Sequence, residues 1–243
     1  NFFQAARPAV AERRSVQSAL VAARQSGNLA LKAYELTVVP AEAFDIASVA
    51  LPANGKWWET RETLERMDIS ENQITTLPDT LQALSDLKDL NASYNRLKSL
   101  PDSGCWGSLT QLANLILDHN CLQTLPKGIG VDGFPPLVKL SVHHNQLTCL
   151  PVTLLTTLQE LDASYNALMA LPTGMGALSA LRRLRLSHNK LQELPPDLAN
   201  QMPVVAELDV SDNLLAEIEL TAPALQVLQL AHNRLVRLEI NAC

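Results

Sequence analysis

The chain has 243 residues, is 47% hydrophobic and carries a formal net charge of −6, with a pI near 5.4. That is enough apolar material for a large core in one or two domains. The acidic balance argues against a nucleic-acid or anionic-membrane surface built on bulk charge, and no apolar run approaches the roughly 18 residues of a membrane span.

Residues 8–27 read PAVAERRSVQSALVAARQSG and predict a helix, with Pro8 near the start and Gly27 at the stop. Val16, Ala19, Leu20 and Ala23 form a narrow apolar stripe on it. A degenerate repeat follows, with Leu29, Leu31, Leu36, Val39 and Pro40, and with Tyr34 where later copies place asparagine. An insert holding LPANGKWWET comes next, and Trp57 and Trp58 are expected to fill the core of an N-terminal cap.

From Leu64 onward one phrase, LxxLxLxxNxLxxLP, returns eight times. Its asparagines are Asn72, Asn95, Asn120, Asn145, Asn166, Asn189, Asn213 and Asn233, spaced 23, 25, 25, 21, 23, 24 and 20 residues apart. Those periods lie in the leucine-rich-repeat range. The alternating LxL predicts a short strand with leucines inward. The asparagine falls where the chain leaves the strand. Its amide donates and accepts, so stacked copies form a structural ladder that satisfies buried backbone groups. The proline after the last leucine suits an extended return rather than an α-helix. Seven of the fourteen prolines share this phase when Pro40 is included, and the last two copies lack it.

The expected fold class is therefore α/β: a leucine-rich-repeat solenoid, a curved horseshoe with a parallel concave sheet, an irregular or extended convex side and an N-terminal helical cap. Residues 1–63 are expected to form the cap and residues 64–243 the eight repeats. Asn1 is not an initiator methionine, and LVRLEINAC ends without a capping helix. Both suggest a longer native protein.

The free positions carry the functional signal. The residue before each asparagine gives the column Glu71, Tyr94, His119, His144, Tyr165, His188, Asp212 and His232. Arg185 belongs to the column three positions earlier and His143 to the one between. All five histidines and two of the three tyrosines fall on this surface, in a chain only 4% aromatic. Tyr94, His119, His143, His144, Tyr165, Arg185, His188, Asp212 and His232 are accordingly the candidate partner-binding residues, because aromatic side chains are enriched at interfaces. A plainer reading is that histidine and tyrosine merely suit this half-exposed position. No metal site is expected: zinc needs three or four convergent ligands, and consecutive His143 and His144 should splay apart along a strand.

No catalytic motif appears: no G-x-S-x-G, no phosphate-cradling glycine loop and no H-E-x-x-H. No catalytic residue and no cofactor are expected. Cys105, Cys121, Cys149 and Cys243 show no clustered spacing and read as reduced thiols.

The LxxLPxxLxxL spacing with its N-x-L turns resembles the intracellular leucine-rich-repeat proteins of the Ras-group and Scribble type. ALVAARQSGNLALKAYELTVVP and GKWWETRETLERMDISENQI, within residues 18–76, are similar to the family of leucine-rich repeat-containing protein forty. That resemblance implies an intracellular, non-catalytic repeat protein of greater total length. The expectation is thus a cytoplasmic or nuclear interaction scaffold whose concave face binds another protein, with no nucleic acid and no membrane insertion. Its alternatives are a targeting subunit of an enzyme such as a phosphatase, and the recognition arm of a ubiquitin ligase or kinase.

Overall fold

The computed structural model describes residues 15–52, 60–101, 103–126, 135–151, 157–173, 175, 178–195, 198 and 204–241. The expected helix start at Pro8, and Trp57 and Trp58, lie outside these residues. Helix α1 spans Val16–Ser26 and buries Leu20 and Ala23 from the predicted stripe. Gly27 ends it with φ 75°, donating its N–H to the Ala23 carbonyl at 2.7 Å. This left-handed cap is cheap only for a residue without Cβ.

Strand β1, Asn28–Ala30, opens the sheet, and α1 packs beside it. The repeats then contribute β2 (Arg66–Asp68), β3 (Asp89–Asn91), β4 (Asn114–Ile116), β5 (Lys139–Ser141), β6 (Glu160–Asp162), β7 (Arg183–Arg185), β8 (Glu207–Asp209) and β10 (Val227–Gln229). All nine strands pair in parallel in that order. The register never slips: Met67, Leu90, Leu115, Leu140, Leu161, Leu184, Leu208 and Leu228 are direct partners along one row. Each strand is three residues long, so a slip of one would turn this leucine row out of the core. The row is buried through Leu208, and only Leu228 in the final repeat is half-buried.

The return side is more structured than an extended segment. Pro40 and Pro78 each precede a 3₁₀ turn, Ala41–Phe44 and Asp79–Ala83, which bury Ala43 and Leu81. A third, Ser103–Ser108, carries Trp106, which is fully buried and donates its indole N–H to the Pro101 carbonyl at 3.0 Å. The last two copies behave differently. Strands β9 (Glu217–Thr221) and β11 (Arg237–Asn241) pair in parallel as a second, convex sheet. Glu219 and Glu239 occupy the positions that hold proline in the earlier copies. Proline fixes φ near −65° and supplies no donor, whereas a parallel strand prefers φ near −120°. The two copies free of that restriction are the two that form strands here.

Candidate functional site: a ring ladder on the strand exits

The asparagines build the site's floor. In each repeat the Nδ2 group donates to two carbonyls of its own turn and to one of the preceding repeat, while Oδ1 accepts a preceding-repeat N–H. Asn145 donates to Leu117, Val142 and His143 at 3.0, 3.0 and 3.3 Å and accepts from Leu122 at 3.0 Å. Asn72 makes the first rung, accepting from the Tyr34 and Leu36 amides and donating to Leu31. The ladder therefore always serves the repeat before it. The degenerate first copy has no earlier regular repeat to serve, which is why Tyr34 can stand in the asparagine position.

The residue before each asparagine pays a conformational cost for this turn. Glu71, Tyr94, His119, His144, Tyr165, His188, Asp212 and His232 all have φ between 50° and 56°. Among non-glycine residues, asparagine, aspartate and histidine enter this left-handed region most readily. The abundance of histidine in the column thus has a backbone cause that the sequence reading did not identify. It also moves the column off the pleat. His119 lies three residues beyond the end of β4, at the rim where the chain leaves the concave sheet.

Uniform backbone geometry at the spacing of paired strands, about 4.8 Å, aligns the side chains. Tyr94 stacks on His119 with ring centroids 4.1 Å apart and planes within 12°. His119 stacks on His144 at 4.2 Å, His144 on Tyr165 at 4.0 Å, and Tyr165 on His188 at 4.0 Å. Five rings from five consecutive repeats form one continuous stack. Its two tyrosines are exposed, 53% for Tyr94 and 43% for Tyr165, as is His188 at its end, while His119 and His144 are half-buried. Beyond the stack, Asp212 pairs with His188 at 3.4 Å and His232 at 3.0 Å. On the other side Glu71 pairs with Lys32 at 2.9 Å.

His143 stands beside the stack. Its ring meets His119 edge-on at 4.9 Å and His144 at 5.1 Å. The expected splay of His143 from His144 does not occur. Strand β5 ends at Ser141, and the left-handed turn at His144 brings the two side chains to the same side. Among the described residues, His119, His143 and His144 are the set whose ligand nitrogens converge, lying within 4.8 Å of one another. Asp118, largely buried, holds His143 twice: Oδ1 accepts its main-chain N–H at 3.1 Å, and Oδ2 faces Nε2 at 3.3 Å.

Burial sets the protonation of this group. It pushes the Asp118 carboxyl above the ordinary aspartate range, against the Ser141 hydrogen bond and the charge of His143, which favour the carboxylate. Burial also holds His119 and His144 below the usual histidine value. Neighbouring imidazoles push the same way, while Asp118 opposes at His119 and Asp162 at His144. Near neutral pH those two rings are therefore uncharged and stack without mutual repulsion.

Arg185 is not part of the stack. Its guanidinium bonds Glu207 at 2.9 Å and approaches Glu160 at 3.6 Å. From the end of β7 it joins a row of charge across the strand starts: Arg66 with Asp89 at 3.0 Å, Lys139 with Glu160 at 3.0 Å, and Arg183 between Glu160 and Glu207 at 3.4 and 3.6 Å. The sequence reading missed this row. Its signal was the alternation of sign at the residue before each central leucine. Exposed pairs of this kind contribute about 0–1 kcal/mol each, so the row favours register more than stability.

The repeats match known sequences. The family model Leucine rich repeat covers residues 156–215 and 179–235, and a second Leucine Rich Repeat model covers residues 63–84. A Drosophila melanogaster leucine-rich repeat and calponin homology domain-containing protein is 39% identical over 134 residues, 54% of this chain and 16% of that protein. Mouse leucine-rich repeat serine/threonine-protein kinase 1 is 33% identical over 168 residues, 68% of this chain and 7% of the kinase. The chain thus spans a small part of the length of these relatives. The solved structure of YopM from Yersinia enterocolitica matches 97% of the chain and 52% of its own length, with a TM-score of 0.62 and 26% identity. Phased leucines and asparagines, an unbroken parallel sheet and these matches agree: the chain carries leucine-rich repeats and folds as a leucine-rich-repeat solenoid.

Proposed function

We propose that the chain is a non-catalytic protein-binding module that engages its partner along the rim formed by Tyr94, His119, His144, Tyr165 and His188. Leucine-rich repeats are in general protein-interaction modules, which supports the coarse assignment. The observation that carries the finer one is the continuous ring stack. Stacking restricts each side chain before any partner arrives, so little rotamer freedom remains to be lost on binding. Two tyrosines in that stack present large, half-exposed faces with a polar tip. His143, Asp212 and His232 flank them, and Arg185 lies on the concave floor with its charge already engaged.

We place the protein in a reducing compartment, cytoplasm or nucleus. Cys121 and Cys149 are free thiols in separate repeats, which suits such a compartment. The similarity of residues 18–76 to leucine-rich repeat-containing protein forty supports the same placement. A second reading follows from the matched kinase: these repeats serve as the recognition arm of a larger enzyme.

The test begins with affinity capture from a cytosolic extract and continues by calorimetry on the captured partner. Tyr94→Ala and Tyr165→Ala are expected to weaken binding by about 2 kcal/mol or more each, as interface hot spots do. Gln123→Ala, exposed outside the stack, is the control. Wild-type affinity in both tyrosine variants, with binding abolished by substitutions elsewhere, overturns the rim assignment.

A further inference from the structure

Three imidazoles and a carboxylate meet at the middle of the ring stack. His119 and His144 come from adjacent repeats, and His143 lies beside both, against Asp118. We propose that His119, His143 and His144 form a binding site for a divalent transition-metal ion of the zinc type, with Asp118 as its positioning residue. Imidazole nitrogen suits zinc and the later first-row ions, and three histidines with one open position are a known ligand number for zinc.

The geometry is close to what coordination needs. Three nitrogens 2.0–2.1 Å from a tetrahedral ion stand about 3.4 Å apart. The present nitrogens lie within 4.8 Å, so each separation contracts by at most about 1.4 Å. The terminal torsion of histidine is broad, so the rings can swing once their stacking contact is given up. The main chain beneath them is held by Asn120 and Asn145, each with three Nδ2 donations. Asp118 faces Nε2 of His143 at 3.3 Å and holds that ring in position. Metal-bound histidines commonly have such a carboxylate behind them.

Coordination has a structural consequence. A ring's lone pair lies in its plane. Rings stacked at 4.2 Å and 12° point their lone pairs side by side rather than at one ion. Binding therefore tilts His119 and His144 apart and opens the stack at its centre, between the tyrosines. The ion and the continuous stack are alternative states of the rim.

Zinc(II) titration against a chromophoric chelator tests the site. The protein carries Cys149→Ser, because Cys149 is an exposed thiol that would compete. One ion per chain is expected, with side-chain nitrogen resonances shifting for three of the five histidines. His119→Ala and His143→Ala should each weaken binding at least roughly 10-fold, Asp118→Asn roughly 10–100-fold, and exposed His232→Ala not at all. Circular dichroism on each variant confirms that the repeats remain folded. Near-ultraviolet ellipticity of the tyrosines should change on zinc addition and return with chelator. No saturable binding up to about 1 mM zinc overturns the proposal. So does binding of wild-type strength in the His119→Ala/His143→Ala double variant, or nitrogen shifts at other histidines. The partner-binding assignment is measured with chelator present, so either can fail without the other.

Discussion

Asparagine does in this chain what no apolar residue at its position could. Asn145 satisfies three carbonyls and one amide that the turn removes from water. Asn145→Ala should cost about 1–3 kcal/mol through those unpaired groups. Gln146→Ala should cost less, because Gln146 is exposed and its main-chain bond to Leu122 survives the substitution. Equal urea midpoints for the two variants would remove the turn role from asparagine. This role was legible in the sequence, since an amide recurring at a strand exit has few other uses. The left-handed backbone one residue earlier was not, because Tyr94 and Tyr165 gave no glycine-like signal. The stack was hidden with it, since parallel ring planes follow from that shared backbone turn. A pH prediction belongs to the same residues. His119 and His144 have folded pKa values below the unfolded one. The unfolded chain then takes up their protons first, so stability falls as pH drops from about 6.5 through the lower folded values. Asp118 is raised and works in the opposite sense, but in the lower carboxylate window. In metal-free buffer, the melting temperature should fall between about pH 7 and pH 5.5 in the wild type. The fall should be smaller in His119→Asn/His144→Asn, since asparagine tolerates the left-handed backbone and does not titrate. Parallel curves for the two proteins would show that these rings do not control the acid response.

Helix α1 and the convex strands show how far local signals reach. The end of α1 at Gly27 was legible because only one residue type occupies φ 75° freely. A Cβ there would meet nothing closer than 3.7 Å, from Arg61 and the Thr63 carbonyl. Gly27→Ala therefore tests backbone conformation with no steric clash. It should destabilise the protein by about 1–2 kcal/mol, the cost of the left-handed region for an L-residue. A midpoint unchanged in guanidinium chloride would mean that the cap relaxes away from that conformation. The convex side was harder to read. An alternating run such as EIEL is short, and the leucine–proline phrase of the earlier copies predicted an extended return. Only the pairing of Ile218 with Leu238 and of Leu220 with Ile240 makes β9 and β11 strands. That is a relation between two repeats, invisible in either alone. Trp106 was silent for a related reason: its 3₁₀ turn fills a gap whose size depends on the neighbouring copies.

A solenoid's stability is approximately a sum of repeat and interface contributions, so position along the chain should decide how much one leucine matters. The whole architecture was legible because eight asparagines in phase exclude most other arrangements. The site was only partly so: the column of candidate residues was visible, but its assembly into a stack, with Arg185 drawn away into an ion pair and His143 turned inward, depends on three-dimensional register. The same register gives the test. Leu161 lies in β6 with a strand on either side and is fully buried, whereas Leu228 lies in β10, the last strand of its sheet, and is half-buried. Leu161→Ala removes a side chain that neighbours on both sides enclose, and the surrounding strands cannot close the gap without breaking register. It should cost about 2–5 kcal/mol. Leu228→Ala leaves a smaller cavity at an edge that solvent already reaches, and should cost less than about 2 kcal/mol. Hydrogen exchange distinguishes the two further. Leu228→Ala should raise exchange in β10 and β11 while β2 to β5 keep their protection, as expected when fraying starts at one end. Leu161→Ala should lower protection on both sides of β6. If both variants lose protection uniformly across all the strands, the repeats unfold as a single cooperative block, and the additive picture of this solenoid is wrong.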